Sequence, residues 1–229
     1  MPKQRRETVQ LPLDLGHRTA LGKEDFFAAP CNENALLWLN RWPDWPATGL
    51  VLYGSPGCGK THLAEIWRAR SAASIVAAAA LHEQDAAEII SNASTLVVEN
   101  IDAEVPERTL LHLYNLVGEK GGNILFTAID PPARMAFRLP DLISRLRAMP
   151  AISIAEPDDM VLSAVMQKMF EDRQMPVGEE VISFLLARME RSFIAARNIA
   201  DEIDRLALAE QRQVTIPLAR RVLAEFGGA

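Results

Sequence analysis

Two cysteines among 229 residues, Cys31 and Cys58, are too few for a disulfide framework. Their spacing matches no metal site, and a reducing compartment suits both. No run approaches the ~18 uninterrupted apolar residues of a membrane helix. Met1 to Glu7 is basic, but no apolar stretch follows it, so it does not read as a secretory signal. The expected setting is the cytoplasm. Positive charge is also scarce: 24 Lys and Arg against 30 Asp and Glu leave a net charge of −6. Broad electrostatic binding to nucleic acid needs clustered cations to displace counterions, so any role on DNA is expected to run through a partner. There is no internal repeat and no low-complexity tract.

What is present is an ordinary globular balance, 49% hydrophobic and 24% charged, enough for a packed core. Residues 1–18 lack a helical period and contain Pro2, Pro12 and Gly16, which predicts a flexible tail. Strand and helix then alternate. A helix is expected over Glu33 to Arg41, opened by Asn32 or Asn34 and ended by Pro43 and Pro46. Strands are expected at Gly49 to Tyr53, Ser74 to Ala78, Thr95 to Val98, Asn123 to Thr127 and Ile152 to Ile154. Helices are expected at Lys60 to Ala72, Glu83 to Ser91 and from Pro106 to Gly118. This pattern predicts an α/β unit over 19–156, a parallel five-stranded sheet between helices. After Glu156-Pro157 the strands stop. Leu162, Val165, Met166, Met169 and Phe170 form one apolar stripe at helical spacing, and Val181, Phe184, Leu185, then Ile199, Ile203, Leu206 mark two more. Pro217 opens a fourth, giving a small all-α lid over 157–229.

The chemistry concentrates in Gly54-Ser55-Pro56-Gly57-Cys58-Gly59-Lys60-Thr61, a G-x-x-x-x-G-K-T pattern between an expected strand and an expected helix. Glycines let the backbone turn tightly and aim successive N–H groups at phosphate oxygens, and the helix N-terminus adds its positive end. Lys60 is expected to bridge the β- and γ-phosphates and Thr61 to hold Mg²⁺, with His62 following at the start of the helix. The next requirement is an acid at the end of a neighbouring strand, and Glu99 meets it. The position after it, where an acid polarising the attacking water is expected, holds Asn100. An amide can orient water but cannot take its proton, so binding is expected to outlast hydrolysis. Thr127 ends the next strand, where its side chain is expected either to reach the γ-phosphate or to serve the structure, both roles being common for a strand-end threonine. The adenine is expected near Ala29 and Pro30.

These pieces, in this order, resemble the AAA+ family and within it the DnaA-related, Hda-like regulators. The likeness runs through Gln10-Leu11-Pro12-Leu13-Asp14-Leu15, the phosphate loop, Glu99-Asn100-Ile101-Asp102 and Asp130-Pro131-Pro132. It continues in Leu139-Pro140-Asp141-Leu142-Ile143-Ser144-Arg145-Leu146, Asp204-Arg205-Leu206 and Val214-Thr215-Ile216-Pro217. The resemblance implies a negative regulator of replication initiation that binds ADP or ATP with Mg²⁺, docks on the DNA polymerase III sliding clamp and stimulates ATP hydrolysis by the initiator DnaA. It implies that Gln10, Leu11, Leu13 and Leu15 are the clamp-binding peptide, Arg145 an arginine finger acting in trans, and Arg197 the sensor-II arginine. It also implies self-association. DNA is reached only through the clamp, and no membrane is involved. Without the family, the four arginines between Arg134 and Arg147 read as a solvated helix face, and Arg197 as a surface ion-pair residue. The phosphate loop is intact where that of Hda is often degraded, and Glu99 stands for the usual Asp. Three other functions stay open: an autonomous ATPase of the clamp-loader or helicase-loader type, a DnaA-like initiator lacking its DNA-binding domain, and a small-molecule or nucleotide kinase.

Overall fold

The computed structural model describes residues 28–82, 86–91, 93–101 and 105–226. Gln10, Leu11, Leu13 and Leu15 lie outside the described residues, as does Asp102. Five parallel strands, β1 (Gly49–Tyr53), β2 (Ser74–Ala77), β3 (Leu96–Glu99), β4 (Ile124–Ala128) and β5 (Ala151–Ser153), form one sheet in the order β2-β3-β4-β1-β5. Parallel neighbours need crossovers, and helices supply them: α2 (Lys60–Ser71), α3 (Ala86–Ser91), α4 (Glu107–Glu119) and α5 (Pro140–Ala148), with α1 (Glu33–Asn40) leading in.

Strand alternation divides the core in two. Val51, Leu96, Val98, Ile124 and Phe126 face one side and pack with Leu110, Leu113, Leu142 and Leu146 from α4 and α5. Leu50, Leu52, Val97 and Leu125 face the other, against Ala35 and Leu39 of α1 and Leu63 and Trp67 of α2. Strands buried on both faces read as continuous apolar runs, which is how Leu50 to Leu52 and Ile124 to Phe126 look. Trp67 anchors the far end of α2: its ring stacks on Trp45 at 5.1 Å and meets Trp42 edge-on at 6.1 Å. The axis of α2, and so the direction in which its N-terminus points, is fixed by this aromatic cluster.

Helices α6 (Asp159–Asp172), α7 (Glu179–Leu186), α8 (Phe193–Glu210) and α9 (Ile216–Phe226) pack around their own core of Leu162, Met166, Phe170, Leu185, Ile199, Ile203 and Val222. Asp158 caps α6, its Oδ1 accepting the N–H of Val161 at 2.8 Å, and Ser192 caps α8 through Ala195 N–H at 3.0 Å. The fold class expected from the alternation is the one observed.

Local details differ. Asn32 stands at the N-cap of α1, but its side chain turns back to accept the N–H of Ala29 at 2.9 Å. Ala78 opens a 3-10 turn, Ala78–Ala80, instead of ending β2. Of the four arginines read as one helix face, only Arg145 and Arg147 lie on α5; Arg134 and Arg138 precede it, since Pro140 restricts the residue before it and starts the helix late. Among the described residues no helix is long and apolar enough to cross a membrane.

Candidate functional site

The loop from Gly54 to Gly59 leaves the end of β1 and enters α2, whose N-cap Gly59 offers no side chain to the first-turn amides. Those donors face an anion-binding position. Two glycines are dictated by crowding. A Cβ on Gly54 would sit 2.3 Å from the Ile154 carbonyl oxygen, because the chain leaving β5 runs hard against the loop. Gly57 has φ +78°, and a Cβ there would lie 2.5 Å from Cβ of Ser192. Lys60 is 7% exposed, and its ammonium donates to the carbonyl oxygens of Gly54 and Ser55, each at 2.8 Å. The loop thus wraps the cation that a polyphosphate would require. Cys58, beside it, is buried; desolvation pushes its thiol up, outweighing the opposing pull of the Lys60 charge, so it fills space as a neutral side chain. Burial likewise raises the Cys31 thiol. Pro56 and Thr61 are exposed at the mouth, and His62 is half-buried on the first turn of α2.

Glu99 ends β3, and its Oε1 is buried with no hydrogen-bond partner among the described residues. A desolvated carboxylate oxygen without a donor is costly, which fits a role toward a cation or its water shell. Among the described residues no group of three His, Cys, Asp or Glu could cage a metal by itself. The oxygen donors at hand, the Glu99 carboxylate and the Thr61 hydroxyl, are of the kind Mg²⁺ takes, one or two protein oxygens together with phosphate and several waters. Asn100 follows in the left-handed region at φ 58°, a conformation Asn tolerates better than most residues. Thr127 is fully buried, and its Oγ1 accepts the Asn100 N–H at 2.9 Å while its carbonyl accepts the N–H of Ile101 at 2.9 Å. The hydroxyl expected to reach a γ-phosphate thus accepts a hydrogen bond at the Glu99-Asn100 corner, a role that leaves its own O–H to donate.

The lid meets the loop directly. Phe193 N–H donates to the Gly57 carbonyl at 3.2 Å, and a Cβ on Gly59 would lie 3.6 Å from the Phe193 ring. Arg197, half-buried, stands one helical turn after Phe193 and so on the face of α8 that turns toward the loop. Ala29 is buried against Val161 and Val165 with Phe193 beside them, whereas Pro30 is exposed. Sequence reasoning missed Ser192 and Phe193; a serine three residues before an apolar helix interior was the available signal. Arg145 is exposed on α5, its guanidinium 5.9 Å from the Tyr114 ring centre. The strand ends thus carry the loop, Glu99, Asn100 and Thr127 on one edge of the sheet, Ser192 and Phe193 of the lid meet the loop, and Arg145 lies exposed on α5.

Comparison with known proteins agrees with this architecture. Residues 158–223 match the family described as Hda, lid domain. Domain III of the replication initiation protein DnaA from Thermotoga maritima superposes with a TM-score of 0.76 at 17% identity, covering 91% of this chain and 97% of that one. AMPPCP-bound DnaA from Aquifex aeolicus gives 0.69 at 15% identity, over 84% of this chain and 67% of that one. The Holliday junction branch migration motor RuvB of Thermotoga maritima gives 0.67 at 14%, over 88% and 68%. At these identities the structural likeness is one of fold. The chain thus has the AAA+ fold, shared with domain III of DnaA, and its residues 158–223 match the Hda lid family.

Proposed function

We propose that this chain is an adenine-nucleotide-binding regulator of replication initiation, which acts on an initiator of the DnaA type and not as a self-sufficient ATPase. The observation that carries the reading is an Hda-type lid seated on an intact phosphate loop, with Asn100 where a catalytic acid would be needed. Lys60 and the loop amides would hold the phosphates, and Thr61 and Glu99 the Mg²⁺. AMPPCP binding by the similar initiator supports an adenine nucleotide, ADP or ATP, as the ligand. Arg197 would approach that nucleotide from the lid, unit 157–229, across the α/β unit 19–156. Thr127 would act through the Asn100 corner.

Arg145 would serve a nucleotide held by the partner. An arginine supplied in trans stabilises charge developing on a transferring phosphoryl group, worth on the order of 10³–10⁵ in rate. Gln10, Leu11, Leu13 and Leu15 would dock in a groove of the sliding clamp, alternate side chains of an extended peptide filling pockets. Self-association through AAA+ faces belongs to the same reading.

The test is hydrolysis of initiator-bound ATP in the presence of DNA-loaded clamp. Wild type is expected to accelerate it, Arg145→Ala and Gln10→Ala to lose the acceleration, and Lys60→Ala to lose nucleotide binding. An unaccelerated reaction with wild-type protein and correctly loaded clamp would sink the regulator reading.

A further inference from the structure

Helix α5 starts without a capping side chain of its own, because Leu139 occupies the N-cap position. The acceptor comes from another helix. Glu107, in the first turn of α4, accepts the N–H of Arg138 on its two carboxylate oxygens at 2.9 and 3.0 Å, and the N–H of Leu139 at 2.6 Å. A carboxylate on the amides that open a helix gains both charge-assisted hydrogen bonds and the favourable end of the helix dipole. Seven residues further along α4, hence two turns on and on the same face, Tyr114 carries the Arg145 guanidinium over its ring at 5.9 Å. Between these two points Leu110 and Leu113 of α4 share a buried core with Leu142 and Leu146 of α5. Among the described residues, Arg145 alone of Arg134, Arg138, Arg145 and Arg147 has an aromatic ring beneath it.

We propose that Glu107 and Tyr114 are positioning residues for Arg145. Glu107 sets where α5 begins along α4, and the Tyr114 ring holds the guanidinium extended from the helix. The cation then faces a partner's nucleotide with part of its rotamer freedom already restricted, and a cation–π contact restrains it without consuming the donors needed for phosphate. The proposal rests on the reading of Arg145 as a finger acting in trans.

Two measurements test it. In the free protein the Arg145 δ-protons should be shifted upfield by the Tyr114 ring current. That shift should persist in Tyr114→Phe, vanish in Tyr114→Leu and shrink in Glu107→Gln. In the initiator hydrolysis assay Tyr114→Leu should lose about two- to fivefold, the range expected for an exposed cation–π contact, while Tyr114→Phe matches wild type. In an Arg145→Ala background Tyr114→Leu should cause no further loss, since two residues acting as a unit are not additive. An equal loss in both backgrounds would assign Tyr114 a purely structural role and overturn the proposal. So would an unshifted Arg145 signal, or wild-type activity in Tyr114→Leu while Arg145→Ala is impaired. If Arg145→Ala itself is fully active, the finger reading fails and this proposal with it.

Discussion

Replacing Gly57 with alanine tests the contact on which the candidate site depends, the seating of the lid on the phosphate loop. At φ +78° a Cβ is strained, and holding an L-residue in the left-handed region costs about 1–2 kcal/mol. The new methyl would also stand 2.5 Å from Cβ and 3.0 Å from Oγ of Ser192. Carbon atoms rest at ~3.5–4.0 Å, so the lid turn must withdraw by on the order of 1 Å. It is poorly able to do so. Ser192 is 3% exposed, its Oγ caps α8 through Ala195, and the next residue, Phe193, is hydrogen-bonded to Gly57 itself. Overpacking of this kind adds about 1–3 kcal/mol, for a combined destabilisation of about 2–5 kcal/mol. Against a typical stability of about 5–15 kcal/mol that is a large fraction. The assay is thermal or urea unfolding alongside titration with a fluorescent adenine nucleotide. Gly57→Ala should unfold earlier and bind the nucleotide less tightly. Adding Ser192→Gly removes the obstructing carbon, with a loss of only a few tenths of a kcal/mol at the cap. The double variant should therefore recover the overpacking part and keep the backbone strain. Wild-type stability and affinity in Gly57→Ala would refute the reasoning outright. An unimproved double variant would show that Ser192 is not the obstacle.

Two further outcomes concern the lid. Asp158→Ala removes the cap of α6 and should lower stability by about 0.5–2 kcal/mol, with Asp158→Ser recovering most of it, as read by urea unfolding. Acid should also weaken the lid. Hydrogen bonds from Arg191, Arg205 and Arg221 hold the carboxyls of Asp159, Glu202 and Glu210 below their usual range. Because these native values lie below the unfolded ones near pH 4, the stabilisation is present above about pH 4–5 and is lost as pH falls through the native values. Melting temperature should drop below about pH 4.5, and Arg205→Gln with Arg221→Gln should flatten that drop; an unchanged acid slope in the double variant would rule these pairs out as its source.

Much of this was readable along the chain because it rests on local physics. Continuous apolar runs at Leu50 to Leu52 and Ile124 to Phe126 marked strands buried on both faces, and the glycine spacing before Lys60 marked a phosphate loop, since both patterns follow from backbone geometry over a few residues. The 3.6-residue stripe from Leu162 to Phe170 separated the lid from the sheet unit for the same reason. The strand order was not readable, because it depends on which crossover packs beside which. Nor was the contact of the Thr127 hydroxyl, which accepts the N–H of Asn100, 27 residues away in sequence, because only the tertiary structure brings the two together. The sequence also carries no sign that Glu107, in the first turn of its own helix, accepts the N–H of Arg138, 31 residues on, at the start of another. The sequence by itself determined the kind of chemistry, through residue types and short spacings that backbone sterics constrain. Tertiary structure decided which side chains meet: Ser192 and Phe193 over the phosphate loop, Tyr114 under Arg145, and Glu99 left with a buried oxygen that no described residue satisfies.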